Sequence, residues 1–409
     1  MLLNCHTYFS FRYGLLSVEE LLAAAQRNGF EKIVLTDINN TSGVLDFIRL
    51  APGYGITPVV GIECRSEGVL RYVGIAHNNE GFHELNEFLT PVLHNVTGFP
   101  DSPPYSVNVS WIVPFEESAI VRCRSGADVR KGRPLPFHIG IRPDQLPRLR
   151  MSQWCKHVDR LVAWWPVTFR EPADREVHRL LRAVDRNVLL SRIDEQELAA
   201  WYEVMPTPER LTKAFRDVPE LLTNAARMIE HSGIAFDFRE SKNKQTFSGS
   251  RTLDRELLHK ETIKGMQDRY GTSDSEVSVR VEKELAMIND LGFAPYFLIN
   301  WDIVRYARQR GYFHVGRGSG ANSIVAYCLR ITDVDPIDLD LYFERFINPF
   351  RTSPPDFDID FSWKDRDDII DYIFRRHGRE HVALLATYST FQYNAAVREL
   401  GKVFGLPKA

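Results

Sequence analysis

The sequence has few cysteines and no long apolar run. Its five cysteines are scattered, and no two of them form a C-x-x-C pair. This spacing argues against a disulfide scaffold and against a structural zinc site, and it suits a reducing cytosol. No apolar run of about 18 residues occurs, and the start, MLLNCHTYFSF, lacks a basic stretch followed by a long apolar one. We therefore expect a cytoplasmic protein without a membrane segment.

The chain also lacks a large net charge. Its 51 Lys and Arg residues nearly balance its 54 Asp and Glu residues, and the formal net charge is −3. A protein that is basic over its whole surface is therefore excluded, whereas a local basic groove is compatible with this total. At 409 residues with 44% hydrophobic residues, the chain is long enough and apolar enough for two domains.

The first 64 residues alternate between strand and helix patterns. Capping-box spacing of Ser17 and Glu20 begins the first helix, and Gly29 ends it. A βαβαβ order predicts parallel strands with helices outside. The predicted strands are LLNCH, EKIVLTD and TPVVGIE, the predicted helices are SVEELLAAAQRNG and VLDFIRLA, and SAIVRC and FHIGI are later short strands.

Three potential metal ligands follow these first strands. His6, Asp37 and Glu63 each stand at or near the carboxyl end of one strand, where α/β folds gather their sites. The alternative remains open that Asp37 caps a turn and that the other two are ordinary surface or hydrogen-bonded residues. A polar segment, RESKNKQTFSGSRT at 239–252, is the predicted boundary between the two domains.

The segment PPDFDIDF places Asp356, Asp358 and Asp360 at every second position. Side chains alternate faces along a strand, so the aspartates share one face while the intervening apolar residues point into a core. Three like charges so close together repel one another, and a cation is the expected partner. Carboxylate oxygens suit magnesium, and two such ions about 3.5 to 4 Å apart can drive phosphoryl transfer.

A glycine-rich turn precedes this segment in the stretch YFHVGRGSGANSIVAY. The predicted order is a strand, a turn, and then a helix that begins near Ala321. The N–H groups of Gly318, Ser319 and Gly320 can then face an anion, and Arg317 adds a fork suited to phosphate. The stretch lacks the Lys-Ser/Thr ending of a P-loop and a full G-x-G-x-x-G. The alternative is that it is only a tight turn.

Three motifs in the second half carry a family resemblance. GRGSGANSIVAY, ITDVDPIDLDLYFERFINP and PPDFDIDF resemble the palm of the C-family bacterial replicative DNA polymerases, from about residue 290 onward. The resemblance implies two catalytic Mg²⁺ ions held by Asp356 and Asp358, with the role of Asp360 open. It also implies that Arg317, Gly318, Ser319 and Arg345 contact the phosphates of the incoming nucleotide.

The amino-terminal half resembles the PHP domain of the same family. Metal-bearing members read H-x-H-T, T-D-H and N-D-x-H, where this chain reads NCHT, TDIN and WPVT. Non-ligating residues therefore replace four expected ligands, and we expect a structural PHP domain without a metal cluster. The replacing residues are Asn4, Ile38, Pro166 and Thr168, and the possible residual site is His6, Asp37 and Glu63.

The resemblance implies an α/β fold, with a PHP-like distorted (β/α) barrel followed by a mixed α+β palm of the nucleotidyltransferase type. The predicted domains are 1–238 for the PHP-like domain, 239–388 for the first part of the palm, and 389–409 for the start of a thumb. In this family a third catalytic aspartate lies far beyond PDFDIDF, so we expect the amino-terminal part of a longer DNA polymerase that is inactive by itself.

The partners implied by the resemblance are primer–template DNA, dNTPs, a sliding clamp and a proofreading exonuclease. Two other functions remain open at this stage. The first is a metal-dependent phosphoesterase of the PHP type, which the lost ligands disfavour. The second is a non-catalytic scaffold that docks an exonuclease.

Overall fold

A computed structural model describes residues 1–126, 137–240, 242–271, 275–351 and 354–406. The chain divides into two compact units. Met1–Arg239 and Ser389–Ala409 form the first unit, and Glu240–Tyr388 form the second. None of the described helices is both long and apolar enough to cross a membrane.

A curled eight-stranded sheet organises the first unit, and a two-stranded sheet lies in the second. The strands are β1 Leu2–Cys5, β2 Lys32–Leu35, β3 Thr57–Ser66, β4 Val69–Ala76, β5 Val109–Pro114, β6 His138–Ile141, β7 Leu161–Ala163, β8 Pro166–Val167, β9 His314–Arg317 and β10 Asp358–Phe361. The larger sheet has the order β7-β6-β5-β4-β3-β2-β1-β8. Its pairs are parallel except for β3–β4 and β4–β5, which are antiparallel.

Helices alternate with these strands in the first unit and dominate the second. They are α1 Val18–Arg27, α2 Val44–Leu50, α3 Asn79–Leu93, α4 Glu117–Gly126, α5 Leu146–Arg150, α6 Asp174–Arg186, α7 Pro208–Ala214, α8 Glu220–Ile229, α9 Arg251–Tyr270, α10 Ser275–Asp290, α11 Ala294–Gln309, α12 Ile324–Cys328, α13 Arg366–His377 and α14 Tyr393–Val403. The α/β character and the barrel-like first unit confirm the predicted fold class.

The βαβαβ opening is confirmed, and its local signals act as predicted. Ser17 caps α1, because its side chain accepts a hydrogen bond from the Glu20 N–H while the Glu20 carboxylate accepts one from the Ser17 N–H. The buried face of α1 carries Val18, Leu21, Leu22 and Ala25, and β1 to β3 pair in parallel beneath it.

Two local predictions in this unit are wrong. SAIVRC is part of α4 rather than a strand, and the burial of Ala119, Ile120 and Cys123 has helical spacing. An apolar run this short does not distinguish a strand from a helix. The predicted third strand, TPVVGIE, ends too early at Glu63, because β3 continues to Ser66 and pairs with β4 over Gly61–Ser66.

The second unit surrounds its small sheet with helices. Its core contains residues from α9 to α12 together with the segments that flank β9 and β10. Three phenylalanine rings pack edge to face at its centre, with centroid distances of 5.0 Å for Phe297 to Phe357 and 5.1 Å for Phe346 to Phe357. This aromatic cluster joins α11, the FERF segment and PPDFDIDF, so three segments distant in sequence meet in one core.

Candidate active site

The site begins with the antiparallel pairing of β9 and β10. Asp358 lies opposite Arg317, and Asp360 lies opposite Val315. The predicted alternation is confirmed within β10, since Asp358 and Asp360 are exposed while Ile359 and Phe361 are half-buried, whereas Asp356 precedes the strand. The pairing therefore brings the acidic strand beside the strand that leads into the glycine-rich turn.

Arg317 forms ion pairs with two of the three aspartates. Its Nε donates to Oδ2 of Asp360 over 2.6 Å, and its Nη1 lies 3.7 Å from Oδ2 of Asp358. The hydrogen bond to Asp360 and the negative charges of both carboxylates raise the pKa of Arg317. All three side chains are more than half exposed, so this arrangement adds little to stability and leaves the groups accessible to a ligand.

Gly318 makes room for Asp358 at the start of the turn. Its φ of +75° lies in the left-handed region, and a Cβ there would lie 2.7 Å from Oδ2 of Asp358. Any other residue would therefore both strain the backbone and press on the carboxylate. The turn itself, Gly318–Asn322, is a 3₁₀ helix, with Gly318 and Ser319 exposed.

The helix after the turn starts later than predicted. Ser323 is the N-cap of α12, and its Oγ accepts a hydrogen bond from the Ala326 N–H at 3.2 Å. Glu284 also lies at this end, where its Oε2 accepts from Ser323 Oγ at 2.8 Å and from the Val325 N–H at 3.3 Å. The predicted helix start at Ala321 is thus wrong, and a buried carboxylate already occupies the positive end of the helix.

Arg345 precedes Phe346, and it is Phe346 that packs at the site. Arg345 ends the 3₁₀ turn Phe343–Arg345 and is exposed, and within the described residues its side chain has no ion-pair or hydrogen-bond partner. Phe346 is fully buried and packs on Phe357, which stands between Asp356 and Asp358. A Cβ on Gly320 would also meet Phe357, at 3.0 Å from Cδ1. The three motifs of the sequence therefore converge on one aromatic contact.

Sequence reasoning missed Arg280, which ties two of these segments together. Its Nη2 donates to the Asn322 carbonyl at 3.1 Å and to the Leu341 carbonyl at 2.6 Å, and its Nε donates to Glu284 at 3.2 Å. One guanidinium thus links the end of the glycine-rich turn to the chain just before FERF. The only sequence signal was the i, i+4 spacing of Arg280 and Glu284.

The donor set at the acidic strand suits a hard cation. Asp356 is exposed and has no hydrogen-bond or ion-pair partner in the described part of the chain, and Asp358 keeps one oxygen beside the space that Gly318 leaves. Carboxylate oxygens are ligands that Mg²⁺ prefers. Across the described ranges, however, no group of three or more His, Cys, Asp or Glu residues is arranged to hold a metal. Within the described residues, Asp356 and Asp358 are thus available as metal ligands but do not form a complete coordination shell.

A buried polar cluster lies in the first unit at the carboxyl ends of β1 and β2. His6 Nε2 lies 3.0 Å from Oε2 of Glu63, and its Nδ1 lies 3.0 Å from Oγ1 of Thr168. Asn4 donates to the same Glu63 oxygen at 2.9 Å. Two residues that replace expected ligands, Asn4 and Thr168, are therefore hydrogen-bonded partners of the remaining ones.

An arginine supplies the positive charge of this cluster. Arg65 Nε donates to Oε1 of Glu63 at 2.5 Å, and its guanidinium lies 4.2 Å from the centroid of the Tyr13 ring. Burial opposes ionisation of Glu63, but Arg65 and His6 outweigh it and hold the Glu63 pKa well below its usual range. Glu63 is thus a buried carboxylate compensated by the Arg65 guanidinium.

Asp37 has a separate set of partners. It accepts hydrogen bonds at 2.7 Å from the Thr7 N–H, the Thr7 hydroxyl and the Ser10 hydroxyl. Burial raises its pKa, while these donors act in the opposite direction. The structure therefore brings His6 and Glu63 into direct contact, whereas Asp37 fixes the turn that follows β1.

Comparisons with known proteins match both halves of the chain. The family model of the PHP domain matches residues 3–117, and that of the bacterial DNA polymerase III alpha NTPase domain matches residues 256–409. The error-prone DNA polymerase of Symbiobacterium thermophilum is 33% identical over 452 residues, covering 100% of this chain and 41% of the relative.

Replicative polymerase subunits are similar over the same extent. The DNA polymerase III subunit alpha of Streptococcus pyogenes serotype M1 is 30% identical over 421 residues, and that of Escherichia coli strain K12 is 27% identical over 448 residues. Each alignment covers 99% of this chain and 38% of the relative. The chain thus spans about two fifths of the length of the curated relatives it matches.

Proposed function

Because the chain belongs to the family of the bacterial DNA polymerase III alpha subunits and error-prone DNA polymerases, we propose that it contributes the PHP and palm regions of a DNA-directed DNA polymerase. The resemblance stated from the motifs is confirmed by these relatives. The activity proposed is template-directed transfer of deoxynucleotidyl groups from dNTPs onto a primer end, with release of pyrophosphate, in the cytoplasm.

The observation that carries this proposal is the pairing of β9 with β10. It sets Arg317 directly opposite Asp358 and leaves Gly318 beside the Asp358 carboxylate. A phosphate-binding turn and a metal-binding pair of aspartates next to each other are what nucleotidyl transfer requires.

Each candidate site residue has a separate role in this proposal. Asp356 and Asp358 hold Mg²⁺, which when bound would activate the primer hydroxyl and stabilise the leaving pyrophosphate. Arg317 and the N–H groups of the exposed residues Gly318 and Ser319 bind the triphosphate, and the exposed Arg345, next to the buried Phe346, adds a further positive charge. Asp360 holds the Arg317 guanidinium in place.

The proposed domain assignment is 1–238 for the PHP-like domain, 239–388 for the first part of the palm and 389–409 for the start of a thumb. The proposed partners are primer–template DNA and dNTPs, with a sliding clamp and a proofreading exonuclease by resemblance. The five cysteines, four of which are buried, suit the proposed cytoplasmic location.

For the first unit we favour a scaffold role over phosphoesterase activity. The ion pair of Glu63 with Arg65 places a guanidinium where a catalytic metal would need an open carboxylate. A scaffold needs only a stable surface. The buried cluster around Glu63, whose charge Arg65 compensates, is consistent with such a structural role.

The proposal is tested by Mg²⁺-dependent dNTP binding to the 409-residue chain. We expect Arg317→Ala to weaken binding by about tenfold or more, since a charge-assisted bond contributes roughly 1.5 to 3 kcal/mol. Lys260→Ala is the matched control, because Lys260 is an exposed cation on α9. Equal dNTP affinity in Arg317→Ala, Lys260→Ala and the unmodified chain would mean that the glycine-rich segment is only a tight turn and does not bind the triphosphate.

A further inference from the structure

A second positively charged site lies in the second unit, away from the acidic strand. A cavity of about 340 Å³ is lined by residues of α9, α11 and the end of α12. The charged residues of its lining are the cations Lys264, Arg305, Arg308 and Arg330 and the acids Glu261 and Asp268. We refer to this cavity as the α9–α12 pocket. Its lining carries two more positive than negative charges.

The cations of the α9–α12 pocket are only partly compensated. Arg330 Nη2 lies 3.8 Å from the Asp268 carboxylate, and Arg305 bonds Asp302, which is not part of the lining. Lys264 and Arg308 have no ion-pair partner among the residues that the structure describes. Burial and the positive charges of Arg330 and Arg269 lower the Arg308 pKa, although Asp333 and Asp268 act in the opposite direction. Positive potential is therefore concentrated here without a protein counterion for every charge.

Arg330 occupies a backbone position that favours glycine. The Ile331 N–H bonds the Ala326 carbonyl at 2.9 Å, and the Arg330 N–H bonds the Tyr327 carbonyl at 3.0 Å. This is the Schellman pattern that ends a helix, and Arg330 is its left-handed residue, with φ of +60°. A non-glycine residue is strained in this conformation. An arginine here therefore costs stability, and its side chain lines the α9–α12 pocket.

The pocket lies at the opposite end of β9 from the glycine-rich turn. His314, the first residue of β9, donates to the Arg330 carbonyl at 2.9 Å, whereas Arg317 is the last residue of that strand. The two sites are thus about 10 Å apart along the strand, at about 3.3 Å per residue. The lining of the pocket contains none of the β10 aspartates.

We propose that the α9–α12 pocket binds the phosphodiester backbone of a nucleic-acid strand. A diester carries one negative charge per nucleotide, so two successive phosphates match the excess of two positive charges in the lining. A compact triphosphate would bring more negative charge than the lining compensates, and Glu261 and Asp268 would repel it. Arginine and lysine side chains at a surface cavity provide phosphate contacts without reading base sequence.

The test is fluorescence anisotropy with a 12-nucleotide oligo(dT) over a series of salt concentrations, in EDTA and without nucleotide. We expect Arg330→Gly and Lys264→Ala each to weaken binding several-fold and to reduce the slope of log K against log salt by about 0.7. Lys260→Ala, one turn earlier on α9 and outside the pocket, should retain full affinity. Because no Mg²⁺ or dNTP is present, a failure here leaves the proposed transfer function untouched.

Arg330→Gly separates binding from folding. Glycine suits the left-handed position, so its melting temperature should equal or exceed that of the unmodified chain while its oligo(dT) affinity falls. If the melting temperature of Arg330→Gly drops, Lys264→Ala provides the same test, because Lys264 is exposed on a helix and its removal should not disturb the fold. Unchanged oligo(dT) affinity in both variants would overturn the proposal. So would pyrophosphate binding that is lost in Arg330→Gly while oligo(dT) binding persists, since the ligand would then be a small phosphate.

Discussion

Arg317 and Asp360 are joined by a hydrogen bond of 2.6 Å from Nε to Oδ2, on neighbouring antiparallel strands. The guanidinium proposed to bind a triphosphate is therefore held by an aspartate whose role the sequence left open. Both side chains are more than half exposed, so the pair positions a side chain rather than stabilising the fold.

Asp360→Asn should lower dNTP affinity while leaving Mg²⁺ affinity unchanged. The substitution removes the charge that holds Arg317 but leaves Asp356 and Asp358 in place, and the melting temperature should shift little because the pair is exposed. Isothermal titration with Mg²⁺ and with Mg²⁺–dNTP separates the two effects, with Asp358→Asn as the comparison. Equal loss of Mg²⁺ affinity in Asp360→Asn and Asp358→Asn would instead make Asp360 a metal ligand.

Gly318→Ala should disturb both the backbone and the site. Its Cβ would lie 2.7 Å from Asp358 Oδ2 and its φ is +75°, whereas Gly311 has the same φ and nothing within 4 Å of the position that a Cβ would take. Gly311→Ala is therefore the matched control for backbone strain alone, which costs about 1 kcal/mol. We expect both variants to melt earlier, but only Gly318→Ala to lose Mg²⁺–dNTP binding. Equal dNTP affinity in the two variants would show that the close approach to Asp358 has no functional consequence.

The parts that local pattern determines were predictable from the sequence. The βαβαβ opening follows from apolar runs between capping signals, and the exposure of Asp358 and Asp360 follows from their period of two. The hydrogen bonds of Arg280 to two carbonyl groups and the pairing of Arg65 with Glu63 were not predictable. The Arg280 bonds depend on how distant segments pack, whereas Arg65 and Glu63 stand two residues apart on β3 and were missed because a charged residue on a strand is usually solvated.

Local sequence patterns also fail to reveal where two elements near the sites begin or end. The start of α12 was misplaced because a glycine-rich run does not show where a 3₁₀ turn becomes an α-helix, and only the bonds of Ser323 and Glu284 fix that point. Glu63 was placed at a strand end because the sequence pattern did not reveal that β3 changes from parallel to antiparallel pairing.

Stability around α12 should depend on pH through Glu284. Burial raises its pKa to about 7, against 4.5 for the unperturbed group, although Ser323 and Arg280 act in the opposite direction. A raised folded pKa means that the stabilisation is complete below about pH 4.5 and is lost as pH rises through about 7. The size of this effect is on the order of 3 kcal/mol.

Hydrogen exchange of the amides in α12 between pH 5 and 8 measures this dependence, after correction for the intrinsic exchange rate. Glu284→Gln should flatten it, because a glutamine does not titrate. Protection that rises with pH in the unmodified chain, or an unchanged slope in Glu284→Gln, would contradict the prediction.

Arg65→Met should destabilise the first unit strongly. It leaves the fully buried Glu63 carboxylate without its nearest full charge partner, and removing one member of a buried ion pair costs about 3 to 5 kcal/mol. The double variant Arg65→Met/Glu63→Gln should recover most of that loss, because no buried charge remains unpaired. Thermal unfolding of the two variants, with Glu63→Gln alone, measures the coupling. If the stability losses of the two single variants simply add in the double variant, Arg65 and Glu63 do not stabilise the fold as an interacting pair.

Metal content tests the same cluster independently. We expect no stoichiometric zinc, iron or manganese in the first unit after purification without added metal, since Arg65 and Asn4 already bond Glu63. Elemental analysis of the unmodified chain and of His6→Ala makes the comparison. Two or three metal ions per chain that disappear in His6→Ala would contradict the structural role of this cluster.

The 409-residue chain by itself should not extend a primer, although Asp356 and Asp358 lie beside the glycine-rich turn. In-line transfer needs two fixed ions, an aligned primer end and a held template, and a misplacement of about 1 Å can cost on the order of a hundredfold in rate. In the part of the chain that is described, no third carboxylate completes a metal cage, and the chain spans about two fifths of its relatives' length. A fusion that adds the remaining length of a relative should synthesise DNA, and Asp356→Asn or Asp358→Asn should abolish that synthesis. Template-dependent extension by the short chain that survives both substitutions would overturn the assignment of these aspartates.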